Sequence, residues 1–482
     1  MGKDTRELIS KNYNIKLERL KMLVNMWKAR NLSIKGKITL LRSQALPLIL
    51  FPCTVLFVPE EIENEVNTIF FDFIWPNHKH HVKKNVLFQN IENGGLKMPD
   101  FNSMIKAIKM NWVKRLISKN NSFTSTANAI CNIEDFKDFF SCKNDSKFLS
   151  KKIPPFYSQI FRSWFELYSV EPRTKNDILN EIIWNNKRIL IENQPIYIKK
   201  WENHGIKKLN SIFNRNGNFK SKFELELEFN MSIDYMKYNS IKSAIPHPWR
   251  KKIREDGVYE DKQNLLVMKI NNMEKNVMDL CCKDYYWEFI SKRAVKPTAI
   301  DKWEELYYYI DFNWQIIFTI PYIVARETKL QSLQYQILHR YFPCRRFLYK
   351  CNKVESDFCN NCPLIDDIEH YFVSCSTVKP FWRNFNQWFA NIFEIRINLH
   401  SPDILFGIPY MNDDDILYIL NFCILFAKGY IHEEKKKEES PIFDIYKNKL
   451  KERLIVEKLI LQTQDKLQLF NRKWGEVLNV LI

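Results

Sequence analysis

Cys359-Asn360-Asn361-Cys362-Pro363-Leu364-Ile365-Asp366-Asp367-Ile368-Glu369-His370-Tyr371-Phe372-Val373-Ser374-Cys375 spaces three thiols and one imidazole as Cys-x2-Cys-x7-His-x4-Cys. The Cys359/Cys362 pair can grip an ion from a tight knuckle, and the seven residues that follow let the chain turn back so that His370 and Cys375 complete a tetrahedron. Soft thiolates with one imidazole suit Zn2+ better than calcium or magnesium. Four protein ligands leave no coordination position for an activated water, so the zinc expected here is structural and not catalytic. The competing reading is four buried residues without an ion, because free cysteine is commonly a core residue.

Upstream of this cluster, Leu330, Leu333, Ile337 and Tyr341 recur at helical spacing, His339 and Arg340 stand at the end of that segment, and Pro343 closes it. Arg345, Arg346 and Lys350 follow. They put positive charge beside a three-thiolate zinc site of net charge about −1, and the same side chains could reach a phosphate backbone. Downstream, Tyr410-Met411-Asn412-Asp413-Asp414-Asp415 reads as a solvated turn capping a helix from Ile416. Val456, Leu459, Ile460 and Leu467 predict a long amphipathic helix that packs on earlier parts of the chain, with packing on a partner as the alternative.

Helical periodicity also governs the first 120 residues. Ser33 is placed to cap a segment with Ile34, Ile38, Leu41 and Ala45 on one face and Lys35, Lys37 and Arg42 projecting from another. A break is expected from Pro47 to Pro59, followed by a helix that starts at Glu60-Glu61, carries Ile62, Val66, Ile69, Phe70 and Phe73, and stops at Trp75-Pro76. Lys79, Lys83 and Lys84 then sit in a basic loop with three histidines, which reads as a solvated loop near phosphate and not as a ligand cluster. Gly94-Gly95 predicts a turn into an extended run ending at Pro99. A further helix directs Ile105, Ile108, Trp112 and Leu116 inward, with Lys106, Lys109, Lys114 and Arg115 on its surface. Beyond Ser118 periodicity weakens to about Lys152, and Trp201 to Trp249 predicts a helix pair about an Asn216-Gly217 turn.

Composition narrows the function. Ten glycines in 482 residues leave little material for glycine-rich phosphate cradles. Eleven cysteines without a regular framework predict a reducing, intracellular setting, nuclear or cytoplasmic. The apolar runs Leu46 to Val58 and Ile416 to Ala427 fall short of the roughly 20 residues a bilayer needs, so no membrane partner is expected. A net charge of +17 suggests a polyanionic partner, RNA or DNA. The heavy use of Lys, Asn, Ile and Phe also reads as the mark of an A/T-biased coding sequence. A zinc deaminase would need His-x-Glu upstream of Pro-Cys-x-x-Cys, and Pro343-Cys344 has no cysteine three residues later.

Ser33-Ile34-Lys35-Gly36-Lys37-Ile38, then Phe70-Phe71-Asp72-Phe73-Ile74-Trp75, then Gly94-Gly95-Leu96-Lys97-Met98-Pro99-Asp100, in that order, resemble the part of LINE-type non-LTR retrotransposon reverse transcriptases that follows the polymerase palm. Leu333-Gln334-Tyr335-Gln336-Ile337-Leu338-His339-Arg340, the Cys359 to Cys375 cluster and Pro380-Phe381-Trp382 are similar to the zinc-binding region near the C-terminus of those proteins. The similarity is strong over 30–117 and 314–389 and weaker between. It implies a helical thumb that grips template and primer, containing Lys35, Lys37 and Arg42, and a zinc-binding part associated with nucleic acid. The expected organisation is mainly α: a thumb-like domain over 1–120, a helical connector over 121–313, a zinc-binding region over 314–395 and a C-terminal helical cap over 396–482.

The family's palm carries a Tyr-x-Asp-Asp turn whose carboxylates hold two metal ions for RNA-directed DNA polymerisation. The nearest string here has Asn412 where the first Asp belongs. The chain therefore reads as a truncated open reading frame or a C-terminal piece, not catalytic alone, whose partner in a longer protein would be an upstream palm. Arg340, Arg345, Arg346, Lys79, Lys83, Lys84, Lys114 and Arg115 join the thumb residues as expected contacts to nucleic acid. The alternative is a zinc-stapled structural or protein-interaction remnant without that function.

Overall fold

The computed structural model describes residues 7, 9–76, 80–118, 122–131, 133, 135–141, 153–168, 174–186, 188–255, 266–409 and 414–481. Lys79 and Tyr410 to Asp413, named above, lie outside them. Helices dominate, and the described strands form two small antiparallel hairpins, Leu190–Ile191 with Gln194–Pro195 and Val267–Ile270 with Met273–Asn276. The second hairpin turns through Asn271 and Asn272, both at positive φ, the backbone that a two-residue turn of matching twist requires. The protein is mainly α, with the Cys/His cluster set among helices.

The chain divides into two compact units, one of Met1–Leu17, Ile49–Asn67 and Asp100–Lys292, the other of Glu18–Leu48, Thr68–Pro99 and Arg293–Ile482. In the first, the Phe101–Ile117 helix packs against Pro155–Leu167 and Cys282–Ser291. Its buried face is Phe101, Ile105, Met110, Val113 and Leu116, while Ile108 and Trp112 are only half-buried. Lys109, expected on the surface, is wholly buried. Its ammonium donates to the carbonyls of Cys53 at 2.9 Å and Leu56 at 2.6 Å and lies over the Phe156 ring, while Trp112 Nε1 donates to Thr54 O. These donors satisfy carbonyls at the end of the helix that finishes at Val55, a favourable place for a cation. Burial pushes Lys109 down to about 8.

That helix also corrects the break expected from Pro47. It runs from Ile34 to Val55 through Pro47 and Pro52, with a wide π turn at Leu41–Ala45. Pro47 cannot donate to the carbonyl four residues back and its ring crowds that group, and a wider turn just before it relieves both without ending the helix. Ser33 caps the start as expected, its hydroxyl accepting the Gly36 N–H at 3.1 Å. The Asn216-Gly217 turn joins no helix pair. It closes a short antiparallel bridge between Phe213 and Phe219, whose ring centroids lie 4.3 Å apart.

In the second unit the Asp415–Lys436 helix is the central rod, packed by Trp314–Val324, Thr328–Leu338 and the pair Phe443–Thr463 and Leu467–Leu481. Asp414 caps it by accepting from Leu417 N. The Ile34–Val55 and Asp415–Lys436 helices are each 22 residues, and by length and composition alone either could cross a membrane, because both extend past the apolar runs read from sequence. Buried polar groups on Asp415–Lys436 are satisfied inside the unit, as in a core helix. Asn421 exchanges two hydrogen bonds with the Ile408 backbone, and Lys428 Nζ reaches Gln334 Oε1 at 2.5 Å and Leu405 O at 3.1 Å. On Phe443–Thr463 the inward face is Tyr446, Leu450, Leu454 and Leu461. Val456, Leu459 and Ile460 are exposed, contrary to the packing expected of them, because the helix carries two apolar stripes and the one at i+4 from Tyr446 is buried.

Lys428 has only neutral partners, and burial pushes it down to about 7. Between pH 7 and 8.5 the unfolded chain keeps the ammonium proton while the folded chain releases it, so stability rises with pH, by up to about 1.4 kcal/mol per unit. Lys109 acts in the same sense. Denaturant melts of Lys428→Met across this range are expected to show a flatter rise than wild type.

The Gly94-Gly95 turn belongs to this unit. Gly94 ends the short Ile91–Asn93 helix in the left-handed region, φ 76°, and Gly95 N–H donates to Asn90 O. A Cβ at Gly95 would overlap the Gln89 carbonyl and stand 2.6 Å from Val86 O, both main chain. Gly95→Ala is therefore expected to destabilise the unit by about 2 kcal/mol or more, read as a lowered thermal midpoint.

Candidate metal centre and basic surface

The cluster is assembled by two local devices. The first is a knuckle: Phe358 bridges Ile365, Cys359 N–H donates to Leu364 O at 2.8 Å, and Asn361 N–H points at Cys359 Sγ at 3.4 Å. The second is a π turn over His370–Ser374, closed by Cys375 N–H on His370 O at 3.0 Å, which explains the four-residue spacing between these two ligands. Asp367 starts the turn by accepting His370 N–H at 2.9 Å. Phe372, Cys375, Val378 and Phe381 sit in the hydrophobic core of the unit, and Trp382 Nε1 donates to Phe372 O. The cluster is thus tied to the core from its C-terminal side.

The ligand atoms of Cys359, Cys362, His370 and Cys375 all lie within 4.8 Å of one another. Cys359 Sγ is 3.9 Å from Cys375 Sγ, far beyond a disulfide bond and close to the roughly 3.8 Å between sulfurs that share a tetrahedral ion with bonds of about 2.3 Å. Cys362 Sγ is 3.2 Å from His370 Nε2. All four cysteine and histidine side chains assigned from sequence are therefore brought together, and the donor set can hold a metal ion.

The electrostatics suit a cation. Burial, with the neighbouring thiols Cys375 and Cys362, pushes Cys359 up to about 11. Burial also raises Cys375, but the hydroxyl and backbone N–H of Thr377 and the charge of Lys435 outweigh it and hold that thiol below its ordinary value. A positive ion at the centre would favour the thiolate at each sulfur. Burial keeps His370 below its usual range, so the imidazole is neutral and Nε2 can donate its lone pair. Lys435 over Tyr371 supplies a balancing charge. Thr377, Asp367 and Lys435 were not readable as part of the site, because nothing in their spacing marks them as neighbours of the sulfurs.

The expected nucleic-acid contacts divide by unit. In the second unit Arg42, Lys83, Lys84 and Arg346 are exposed, and Lys84 lies over Phe71 at 4.4 Å. Arg346 pairs with Asp367 at 3.4 Å. Lys35 and Lys37 are half-buried, Lys35 over Tyr322 and Lys37 donating to Ile74 O at 3.3 Å, and burial lowers the pKa of both. Arg340 takes a left-handed backbone, φ 57°, and stacks on Trp303 at 4.1 Å. Arg345 is half-buried, with its backbone N–H on Asp366 Oδ2. Lys114 and Arg115 belong to the first unit, where Arg115 stacks on Trp112 at 4.5 Å.

One junction was not anticipated. Gly94 O accepts from Tyr335 OH at 3.3 Å and from His339 Nε2 at 2.9 Å, across more than 240 residues of chain. Both rings are buried, and burial pushes His339 down to about 3, so it is neutral with its proton on Nε2. No family model matches the chain.

Proposed function

We propose that this protein is a nucleic-acid-binding segment of the kind found after the palm of non-LTR retrotransposon reverse transcriptases, stapled by one structural Zn2+ and without polymerase activity of its own. One observation carries the reading. Of the segments that bear the resemblance, Ser33–Ile38, Phe70–Trp75, Leu333–Arg340, the Cys359 to Cys375 cluster, Pro380–Trp382 and all of the Gly94–Asp100 run except Asp100, which belongs to the first unit, fall in the second unit, where Tyr335 and His339 grip Gly94. Segments so distant in sequence that pack together behave as one module, which is what a shared function asks of them. The net charge of +17 and the exposed cations Arg42, Lys83 and Lys84 support a phosphate-bearing partner.

Zinc is favoured because three thiolates and one imidazole at tetrahedral spacing are soft donors, and all four positions are filled by protein. The chain lacks the Tyr-x-Asp-Asp carboxylates, so nucleotidyl transfer is not part of the reading. The test is binding of the full chain to RNA and to duplex DNA across a salt series, with metal content measured on the same preparation. Binding that weakens steeply with salt is expected. Salt-insensitive or absent binding would favour a zinc-stapled interaction module instead.

A further inference from the structure

The second unit holds a cavity of about 670 Å³ whose walls differ in chemistry. One wall is aromatic. Trp75, His81, Tyr341 and Phe347 line it, with His81 stacked on Tyr341 at 5.3 Å, edge-on to Trp75 at 5.1 Å and 5.6 Å from Phe347. The rest of the lining is richer in positive charge. It includes Ser33, which caps the 22-residue Ile34–Val55 helix, Ile34 and Lys37 in the first turn, and Lys329 and Lys436, with the Lys37 ammonium also donating to Ile74 O. A helix N-terminus presents a partial positive charge that adds to the three ammonium groups. Among the residues lining the cavity the opposing carboxylate is Glu433, and it already accepts from Lys449 at 3.1 Å.

Trp75 Nε1 and the Tyr341 hydroxyl lack hydrogen-bond partners but are closed off from solvent, so they do not open onto the cavity that their rings help to line. Aromatic faces and clustered ammonium groups answer two parts of a nucleotide: the base plane and the phosphate.

We infer that this cavity binds one unpaired nucleotide of a nucleic-acid strand, with the base against the His81 wall and its phosphate at Lys37, Lys329, Lys436 and the helix N-terminus. The inference rests on the nucleic-acid reading above and adds the form of the ligand. A volume of this size fits a small-molecule site and not a double helix, and a base can reach an aromatic wall only when it is not stacked inside a duplex.

The test uses the full chain, a labelled 15-nucleotide oligouridylate and a labelled 15-base-pair duplex, with affinity read by anisotropy across a salt series. His81→Ala, at an exposed position, is expected to weaken oligouridylate binding about five-fold or more while leaving duplex affinity within about two-fold. Lys329→Ala with Lys436→Ala, also exposed, should weaken the single strand at least about ten-fold and reduce its salt slope by about 0.7, the value for one lost phosphate contact. Unchanged metal content and melting temperature would show both variants folded. Wild-type binding with no loss in either variant overturns the cavity assignment and leaves the nucleic-acid reading standing. Equal losses on duplex and single strand overturn the unpaired-nucleotide assignment. No binding by wild type to either probe overturns both readings.

Discussion

On the zinc reading proposed above, Cys362→Ser is expected to lose the metal and unfold the region from about 350 to 390, seen as new proteolytic cuts there and the loss of one zinc per chain. Serine keeps the size of the side chain but not a soft thiolate, so three ligands remain around an ion that needs four. Structural zinc contributes on the order of 10 kcal/mol or more to a fold built around it. The knuckle has little else. Its own main-chain bonds are short-range, Cys359 N–H to Leu364 O, Leu364 N–H to Cys362 O and Asp366 N–H to Asp357 O, and Phe358, Leu364 and Ile365 are exposed. The other side of the site is different, because Cys375, Phe372 and Val378 lie in the core. Losing the ion should therefore loosen the knuckle first and then strain the start of the Lys379–Phe393 helix. Cys351→Ser, a half-buried thiol outside the cluster, is the control and should keep its zinc. Acid should mimic the variant, since protonated thiols do not bind. A metal-free chain with an unchanged melting curve would contradict the structural role.

Spacing made the metal cluster legible because a ligand set is a local pattern: a knuckle and a π turn, each defined by residues a few positions apart. The cap at Ser33, the capping of the helix near Ile416 and the turn at Gly94-Gly95 were legible for the same reason. Lys109 and Lys428 were not. A lysine in a helical pattern is most simply solvated, and what buries these two is a set of carbonyls and an amide supplied from more than 20 residues away. Pro47 misled because a proline normally ends a helix, and nothing local announces the π turn that absorbs it. The exposed Val456, Leu459 and Ile460 show the same limit from the other side, since periodicity identifies a stripe without saying which of two stripes meets the core. The aromatic and cationic walls of the cavity draw on residues 33 to 81 and 329 to 436, so their convergence is a property of the fold alone.

Affinity for duplex DNA is expected to fall about 150-fold between 50 and 200 mM salt if the exposed cations Arg42, Lys83, Lys84 and Arg346 each meet a phosphate. Each neutralised phosphate releases condensed counterions, giving a slope of about −0.9 per contact on a duplex, and four contacts across a four-fold change in salt yield that figure. On a single strand the slope per contact is nearer −0.7, so the same four contacts give about 50-fold. Surface charge alone would also draw the chain to nucleic acid, and the slope separates the two because it counts contacts made and not charge carried. Arg346 is the weakest of the four, since binding must first break its pair with Asp367. Arg42 and Lys84 are better probes, because charge reversal at an exposed site leaves the core intact, whereas reversing Lys37 would set a carboxylate against the Ile74 carbonyl. Arg42→Glu with Lys84→Glu should lower the duplex slope by about 1.8 and weaken all sequences alike, as phosphate contacts do. A loss confined to particular sequences would mean that these side chains read bases, and an unchanged slope would remove them from the interface.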